Sequence, residues 1–316
     1  MPIDNRIATR LRLPAVCAPM FFVSTPDLVR EACLAGLVGG VPRHNARSIE
    51  EFEAWLRQLR HAFDRHAGER EDAVIGPLAV NLASKMPPDE FEQNLAVCQR
   101  YGVDIIINAT GNPVDLTRRA HDRGFLVYAD AINLRFAEKA VEAGVDGITA
   151  IGSGSGGFSG TANILALLAS IRGIFSGTII MAGGISTGRD MRAAEVLGAD
   201  LCYMGTRFIA TRESGASAAY KELLVSARSS DIIYKRCGSN VPANWIKPSL
   251  DRLGLDAEGD LGDLPKGVIP WRDVWSAGHG VDQINDIPSV AQLARRLRRE
   301  YSDACQTAPF PALLSA

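Results

Sequence analysis

Five of the nine residues in Gly152-Ser153-Gly154-Ser155-Gly156-Gly157-Phe158-Ser159-Gly160 are glycine, and the run lies where an apolar strand pattern, Gly147 to Ile151, passes into a helical one beginning near Thr161. Glycine lets a backbone turn through positive φ and lie flat against a ligand. A helix start adds free N–H groups and a positive dipole end suited to an anion. A second such stretch, Met181-Ala182-Gly183-Gly184-Ile185-Ser186-Thr187-Gly188, follows the next strand pattern, and a third turn, Met204-Gly205-Thr206-Arg207, follows the one after. Gly183 and Gly184, flanked by Ala182, together with Gly205 and Thr206, flanked by Met204, offer backbone N–H groups and one hydroxyl to a terminal phosphate. Arg207 either adds a permanent charge beside it or pairs within the protein shell. Three consecutive strand ends built for backbone contact imply one shared ligand site.

Other chemistry-bearing residues fall at neighbouring strand ends. Asn81 is an amide among apolar residues, where an unpaired buried amide costs about 1–3 kcal/mol, so it needs a ligand or an internal partner. Asp130 reads as a catalytic carboxylate, a ligand contact or a loop cap, with Asn108 and Thr110 as weaker analogues. His44 follows the second strand pattern and His279 follows Trp275-Ser276-Ala277-Gly278; both are candidate mouth residues, or else structural ones. Tyr128 and Ser159 are further donors near strand ends. His61, His66 and His121 sit in helical patterns and face solvent.

The elements that must position these residues alternate as short apolar runs and amphipathic segments of about a dozen residues, the rhythm of a parallel sheet with covering helices. The strand patterns are Ala15 to Met20, Leu37 to Pro42, Val74 to Leu82, Asp104 to Asn108, Phe125 to Ala129, Gly147 to Ile151, Thr178 to Ala182 and Leu201 to Met204. The helices between and after them are Thr25 to Ala35, Ser48 to His66 with a capping box at Ser48-Ile49-Glu50-Glu51, Pro88 to Tyr101, Pro113 to Arg123, Leu134 to Ala143, Asn163 to Phe175, Arg189 to Leu197 and Ser217 to Arg228. Eight units in this length fit an α/β fold of the closed (β/α)8 TIM barrel type, with ligands at the carboxyl ends of the strands. Residues 1–228 are then the barrel. Residues 229–316 are an extension over its mouth, ending in an amphipathic helix, Ser289 to Ala304, and packed as part of a single unit. The arginines of that helix, Arg295, Arg296, Arg298 and Arg299, read as a solvated face.

Composition sets the outer bounds. In 316 residues, 47% hydrophobic and 22% charged, the chain carries a full core, and a net charge of −2 gives no electrostatic case for nucleic acid. The six cysteines lack metal-ligand spacing and read as buried thiols in a reducing compartment. No apolar run approaches the length of a membrane span, and Met1-Pro2-Ile3-Asp4-Asn5-Arg6 has no secretory pattern, so the expected location is the cytoplasm, with no metal and with homo-oligomerisation left open.

Taken together, Ala18-Pro19-Met20-Phe21, Ala79-Val80-Asn81-Leu82, Gly156-Gly157-x-x-Gly160, Ala182-Gly183-Gly184-Ile185-Ser186, Met204-Gly205-Thr206-Arg207-Phe208 and Trp275-Ser276-Ala277-Gly278 resemble the nitronate monooxygenase family, formerly 2-nitropropane dioxygenase. The resemblance runs in order from about residue 13 to 302. It implies an FMN-binding barrel without a metal, with Pro19, Met20 and Phe21 against the flavin ring, Asn81 as a flavin contact, Gly156 and Gly157 binding the cofactor, and Ser276 and Gly278 returning to the flavin edge; Asp130, by its place at a strand end, is a further cofactor contact in an FMN barrel. It further implies a small-molecule substrate, an alkyl nitronate oxidised with O2 to a carbonyl compound and nitrite. Relatives in this resemblance use NAD(P)H to reduce quinones, enones or enoyl thioesters, so an organic electron acceptor is the alternative; an inactive FMN-binding sensor or scaffold is a third reading. One position departs from the pattern. Where Gly-Gly-His-x-Gly carries a proton-bearing imidazole, this chain has Phe158. Either no base is needed there, or another residue such as His279, His44 or Ser159 substitutes, or the chemistry differs. Phe158 would stack on an aromatic or steroid-like substrate, or shield the flavin ring from water.

Overall fold

In the computed structural model, which describes residues 3–307, eight strands close into an all-parallel barrel. Met1 and Pro2 of the N-terminal stretch and residues 308–316 of the extension lie outside the described residues. In chain order the strands are β1 (Ala15–Cys17), β2 (Val38–Pro42), β3 (Leu78–Leu82), β4 (Ile105–Asn108), β5 (Leu126–Ala131), β6 (Gly147–Ile151), β7 (Gly157–Phe158), β8 (Thr178–Ala182), β9 (Leu201–Met204), β10 (Ile232–Lys235) and β11 (Ala243–Ile246). The barrel order is β1-β2-β3-β4-β5-β6-β8-β9, and β9 pairs back onto β1 through Cys202, Tyr203 and Met204. The short β7, β11 and β10 form a separate antiparallel sheet.

The helices are α1 (Asn5–Ala8), α2 (Pro26–Leu34), α3 (Ile49–Glu69), α4 (Pro88–Arg100), α5 (Pro113–His121), α6 (Leu134–Glu142), α7 (Ile164–Arg172), α8 (Gly188–Val196), α9 (Thr206–Ile209), α10 (Ala218–Ser226), α11 (Lys247–Asp251) and α12 (Val290–Cys305). Most of the longer ones start on a side chain that accepts a first-turn amide: Thr25, Ser48, Asn112, Asn133, Asn163, Thr187, Ser217 and Ser289. Each such cap contributes about 1 kcal/mol. At Ser48 only half of the expected capping box forms, because Glu51 turns its carboxylate to the amide of Arg47 instead. The third strand begins at Leu78, four residues later than its apolar pattern, since Pro77 has no N–H to give a ladder and Gly76 is pressed onto Leu37, where a Cβ would lie 1.9 Å from the carbonyl oxygen.

Alternation along the strands separates two cores. Cys17, Val41, Val80, Ile106, Val127, Ile148, Ile179 and Cys202 point out to the helices, while Val16, Val38, Ala79, Ile105, Leu126, Tyr128, Ile180 and Leu201 fill the barrel, closed from below by Ile3 and Ile7. A third small core, around Trp245, Leu250, Leu261 and Val274, belongs to the extension.

The eighth place in the helix ring is not taken by the segment after the eighth barrel strand. Instead α12 packs between α8 and α2, the last and first barrel helices. Its approach is close: a Cβ at Gly188 would lie 2.1 Å from the Leu297 carbonyl oxygen, and Glu300 accepts the Gly188 amide at 2.8 Å. This frees α10 to support the mouth, where Tyr220 stacks on Trp275 with ring centroids 4.9 Å apart and binds the Ser276 backbone. On α12, Arg295, Arg298 and Arg299 are exposed, while Arg296 is held by both oxygens of Asp286. Five of the six cysteines are buried; Cys305, in the last turn of α12, is exposed.

Candidate functional site

The carboxyl ends of β1, β6, β8 and β9 and the extension converge on one spot. Gly183 and Gly184 end β8 with φ of +121° and +75°, backbone that only glycine adopts without strain. A Cβ on Gly184 would meet no atom within 4 Å, so this turn borders open space. Among the described residues, the amides of Gly183, Gly184 and Gly205 find no acceptor. Beside them the buried Ser155 hydroxyl also lacks a partner, and it lies 2.9 Å from where a Cβ of Gly183 would be. Thr206 Oγ1 accepts the Gly278 amide at 2.9 Å, which leaves its own proton to donate. Ala182 ends β8 buried, and the Met204 side chain packs outward into the helix layer, so Met204 serves the mouth through its backbone. Three free amides and two hydroxyls make a concave donor set suited to an anion.

The glycine run after β6 has a second purpose that composition did not reveal. Gly156 and Gly278 face each other so closely that a Cβ on Gly278 would lie 2.5 Å from Gly154 O and 2.9 Å from Gly156 N. Ser276 is fully committed: its hydroxyl donates to Asn244 O and accepts the Gly157 amide at 2.7 Å. Asn244 in turn donates to the carbonyls of Ser153 and Ser155, and β7 pairs Gly157 and Phe158 with Asn244 and Ala243. Several of these glycines therefore exist so that the loop and the extension can meet backbone to backbone.

Beside β9, β1 runs into Pro19, Met20 and Phe21. Ser24 and Asn45 hold this turn, with Asn45 donating to Met20 O and Ser24 O and accepting the Phe22 amide. Met20 Sδ comes within 3.5 Å of where a Gly205 Cβ would be, so this turn touches the anion cradle. Phe21 is exposed, as is Phe158, whose ring meets Trp271 edge-on at 4.9 Å. Ser159 is buried with an unpartnered hydroxyl. His279 is exposed, its amide bonded to Gly154 O at 2.9 Å, so its imidazole stands on the rim of the same loop. His44 is also exposed, in a single turn after β2, and no hydrogen bond aims it at the cradle. Thr110 is exposed beyond β4, and Asn108 shares the outward face with Ile106.

Asn81 and Asp130 alternate with interior residues Ala79 and Tyr128, and so form the polar top layer of the barrel with Thr149 and Tyr203. Oδ1 of Asp130 is sealed from solvent without a partner, and burial pushes the carboxyl up to about 7 against the opposing Thr149 hydroxyl. The sign of the resulting pH dependence follows. The unfolded chain loses this proton near the ordinary value of 3.8 and the folded chain near 7, so stability falls as pH rises through that window and is level above it. Asp130→Asn has no such proton. Urea unfolding at about pH 5 and pH 8 is expected to show the wild type losing on the order of 2–3 kcal/mol more than the variant over this interval; equal changes in both proteins would remove the titration from Asp130.

Three residues of the site, Ser155, Phe22 and Trp271, are absent from the candidates that the sequence marks. Ser155 sat in plain view inside the glycine run, whereas Trp271 is brought to Phe158 only by tertiary folding. Among the described residues no group of three His, Cys, Asp or Glu side chains could hold a metal ion, and no helix is long and apolar enough to cross a membrane.

The nitronate monooxygenase family profile matches residues 50–249. A Mycobacterium tuberculosis protein carrying a monooxygenase name is 31% identical over 244 residues, 72% of this chain and 64% of that protein, just under two thirds of its length. A nitronate monooxygenase by name from Staphylococcus saprophyticus is 26% identical over 255 residues, 72% of this chain and 68% of its own. The structure of FabK from Thermotoga maritima superposes with a TM-score of 0.77 over 96% of this chain and 98% of that one, at 24% identity, a likeness of fold.

Proposed function

The chain belongs to the nitronate monooxygenase family of oxidoreductases, and from that premise we propose that it binds FMN with the terminal phosphate on Gly183, Gly184, Gly205 and Thr206 and oxidises an alkyl nitronate with O2 to a carbonyl compound and nitrite. One observation carries the reading: the turn after β8 presents unpartnered amides to open space beside the unpartnered Ser155 hydroxyl. A phosphate dianion would supply the acceptors that these donors lack. FMN, when bound, supplies a ring that accepts two electrons from one molecule and passes them to another.

The chain's own residues then have separable tasks. Pro19, Met20 and Phe21 wall the ring, and Asn81 and Asp130 offer it an amide and a carboxyl from the barrel's top layer. Ser276, Gly278 and Gly157 act as positioning residues, because the Ser276–Gly157 bond fixes the extension to the glycine loop and the Gly278–Thr206 bond fixes it to the turn after β9. Phe158 neither takes nor gives a proton, so the site suits a substrate that arrives as the anion; neutral nitroalkanes require a deprotonation that no group at this position performs. His279 on the rim is the candidate substrate contact, with His44 and Ser159 behind it.

The phenyl group at position 158 also favours a second reading, hydride transfer from NAD(P)H to a quinone, enone or enoyl thioester, which needs no base on this loop. Anaerobic mixing separates the two. Bleaching of the visible flavin absorbance by propyl nitronate alone is the expected result; bleaching only by NADH or NADPH moves the chain to the reductases, and bleaching by neither leaves a binding protein.

A further inference from the structure

Four aromatic side chains gather on one side of the mouth, and the fold spends strain to keep them there. Phe21 and Phe22 lie with ring centroids 3.9 Å apart; Trp271 meets Phe158 edge-on at 4.9 Å and Phe21 at 6.5 Å, and is backed by the buried Trp245 at 5.0 Å. Phe21, Phe22 and Phe158 are 39%, 39% and 38% exposed, a high value for side chains of this size in a folded chain. Among the described residues, the two non-glycine positions with positive φ are Phe22 at 60° and Trp271 at 64°. Bulky residues avoid that region, and such a conformation persists only where the surroundings over-determine it. They do so here. Asn45 pins the Phe22 amide and its neighbours, and Asp273 closes the turn around Trp271 by accepting the Ile269 amide and donating its own to Ile269 O.

Two arginines near this face are held by partners of their own. Arg272, next to Trp271, is bonded to the Asp273 carboxylate and to Gly267 O. Arg252 lies over the Trp275 ring, 4.2 Å from its centroid, and donates to Asp273 O. The cluster thus offers ring faces and edges, and Arg272, the cation next to Trp271 in the chain, is held by its own partners. Flat conjugated molecules exploit such surfaces by offset stacking and edge contacts, which saturated molecules of equal size cannot make.

We propose that Phe21, Phe158 and Trp271 form a binding site for a planar, uncharged conjugated ring carried by the substrate or electron acceptor, so that the protein acts on ring-bearing molecules in preference to short aliphatic ones. The inference rests on reading this mouth as the place of reaction. It names the group recognised there.

The test uses the protein as purified, with 2-naphthol as a planar neutral probe and decahydro-2-naphthol as its saturated counterpart, binding measured by calorimetry and by intrinsic tryptophan fluorescence. The planar probe is expected to bind about tenfold tighter than the saturated one, and Trp271→Ala to erase that preference. Phe158→Leu, which keeps an apolar side chain on the paired strand, is expected to reduce it severalfold and serves if Trp271→Ala fails to fold. Equal affinity for the two probes, or a preference untouched by both substitutions, overturns the proposal. Flavin content is read separately from visible absorbance: a flavin-loaded protein indifferent to planarity defeats this inference alone, while a colourless protein that prefers 2-naphthol through Trp271 keeps it and defeats the flavoenzyme reading.

Discussion

Gly183→Ala is expected to give a folded but colourless protein. At φ of +121° a side chain is disfavoured by roughly 1–3 kcal/mol. The new Cβ would also lie 2.9 Å from Ser155 Oγ and 3.1 Å from Ser155 N. The hydroxyl can rotate away, but the backbone nitrogen cannot, so the turn must move and take its amides with it. FMN affinity is expected to fall about 100-fold, equivalent to roughly 2.7 kcal/mol. The barrel itself stays intact because Gly183 follows the last paired residue of β8. Gly184→Ala is the internal control: its Cβ enters open space and it bears only the strain of φ +75°, so its loss is expected to be about tenfold or less. The ratio of flavin to protein after purification, with circular dichroism to confirm folding, decides the matter. Full flavin content in Gly183→Ala would place the cofactor's anchor elsewhere.

Phe158→His is expected to add an activity. Phe158 lies on the two-residue strand β7, whose backbone pairs with Ala243, so the substitution leaves the loop's path unchanged and replaces one exposed ring by another. An imidazole there can take the proton that a neutral nitroalkane must lose. General acid–base catalysis typically contributes about 10²–10⁴-fold, and kcat/KM for nitroethane is expected to rise within that range, following a group that titrates near the histidine value of about 6.5. Turnover of preformed nitronate is expected to change little, since that substrate needs no base. A variant that handles both substrates as the wild type does would show that proton removal is not what separates them.

The barrel was legible because its evidence is local. Apolar runs recur eight times, with Gly36, Gly102, Gly124, Gly144 and Gly198 closing the helices before five of them, and Gly147–Ile151, Thr178–Ala182 and Leu201–Met204 have the expected bounds. The eighth helix was not legible. The segment 289–304 is strongly amphipathic and 217–228 only weakly so, but that difference does not by itself say which packs against α8 and α2; the answer lies in the fit of α12 over Gly188. Within the site, glycines marked the turns but not their division of labour. Gly184 borders open space and Gly183 packs against Ser155, whereas Gly156 and Gly278 serve contact between segments, and Ser276 reaches the Gly157 amide across 119 positions of chain. Trp271 carried no sequence signal at all. Its neighbours are Phe21 and Phe158, both distant in sequence, and its strained φ is visible only in the folded chain.

The most direct test of the account compares FMN with riboflavin, which lacks the phosphate, as ligands of the flavin-stripped protein. If the amides of Gly183, Gly184 and Gly205 hold the phosphate, FMN binds about 100-fold tighter than riboflavin or more, since several charge-assisted hydrogen bonds are at stake, and Gly183→Ala collapses the difference. Equal affinity for the two flavins would contradict the account.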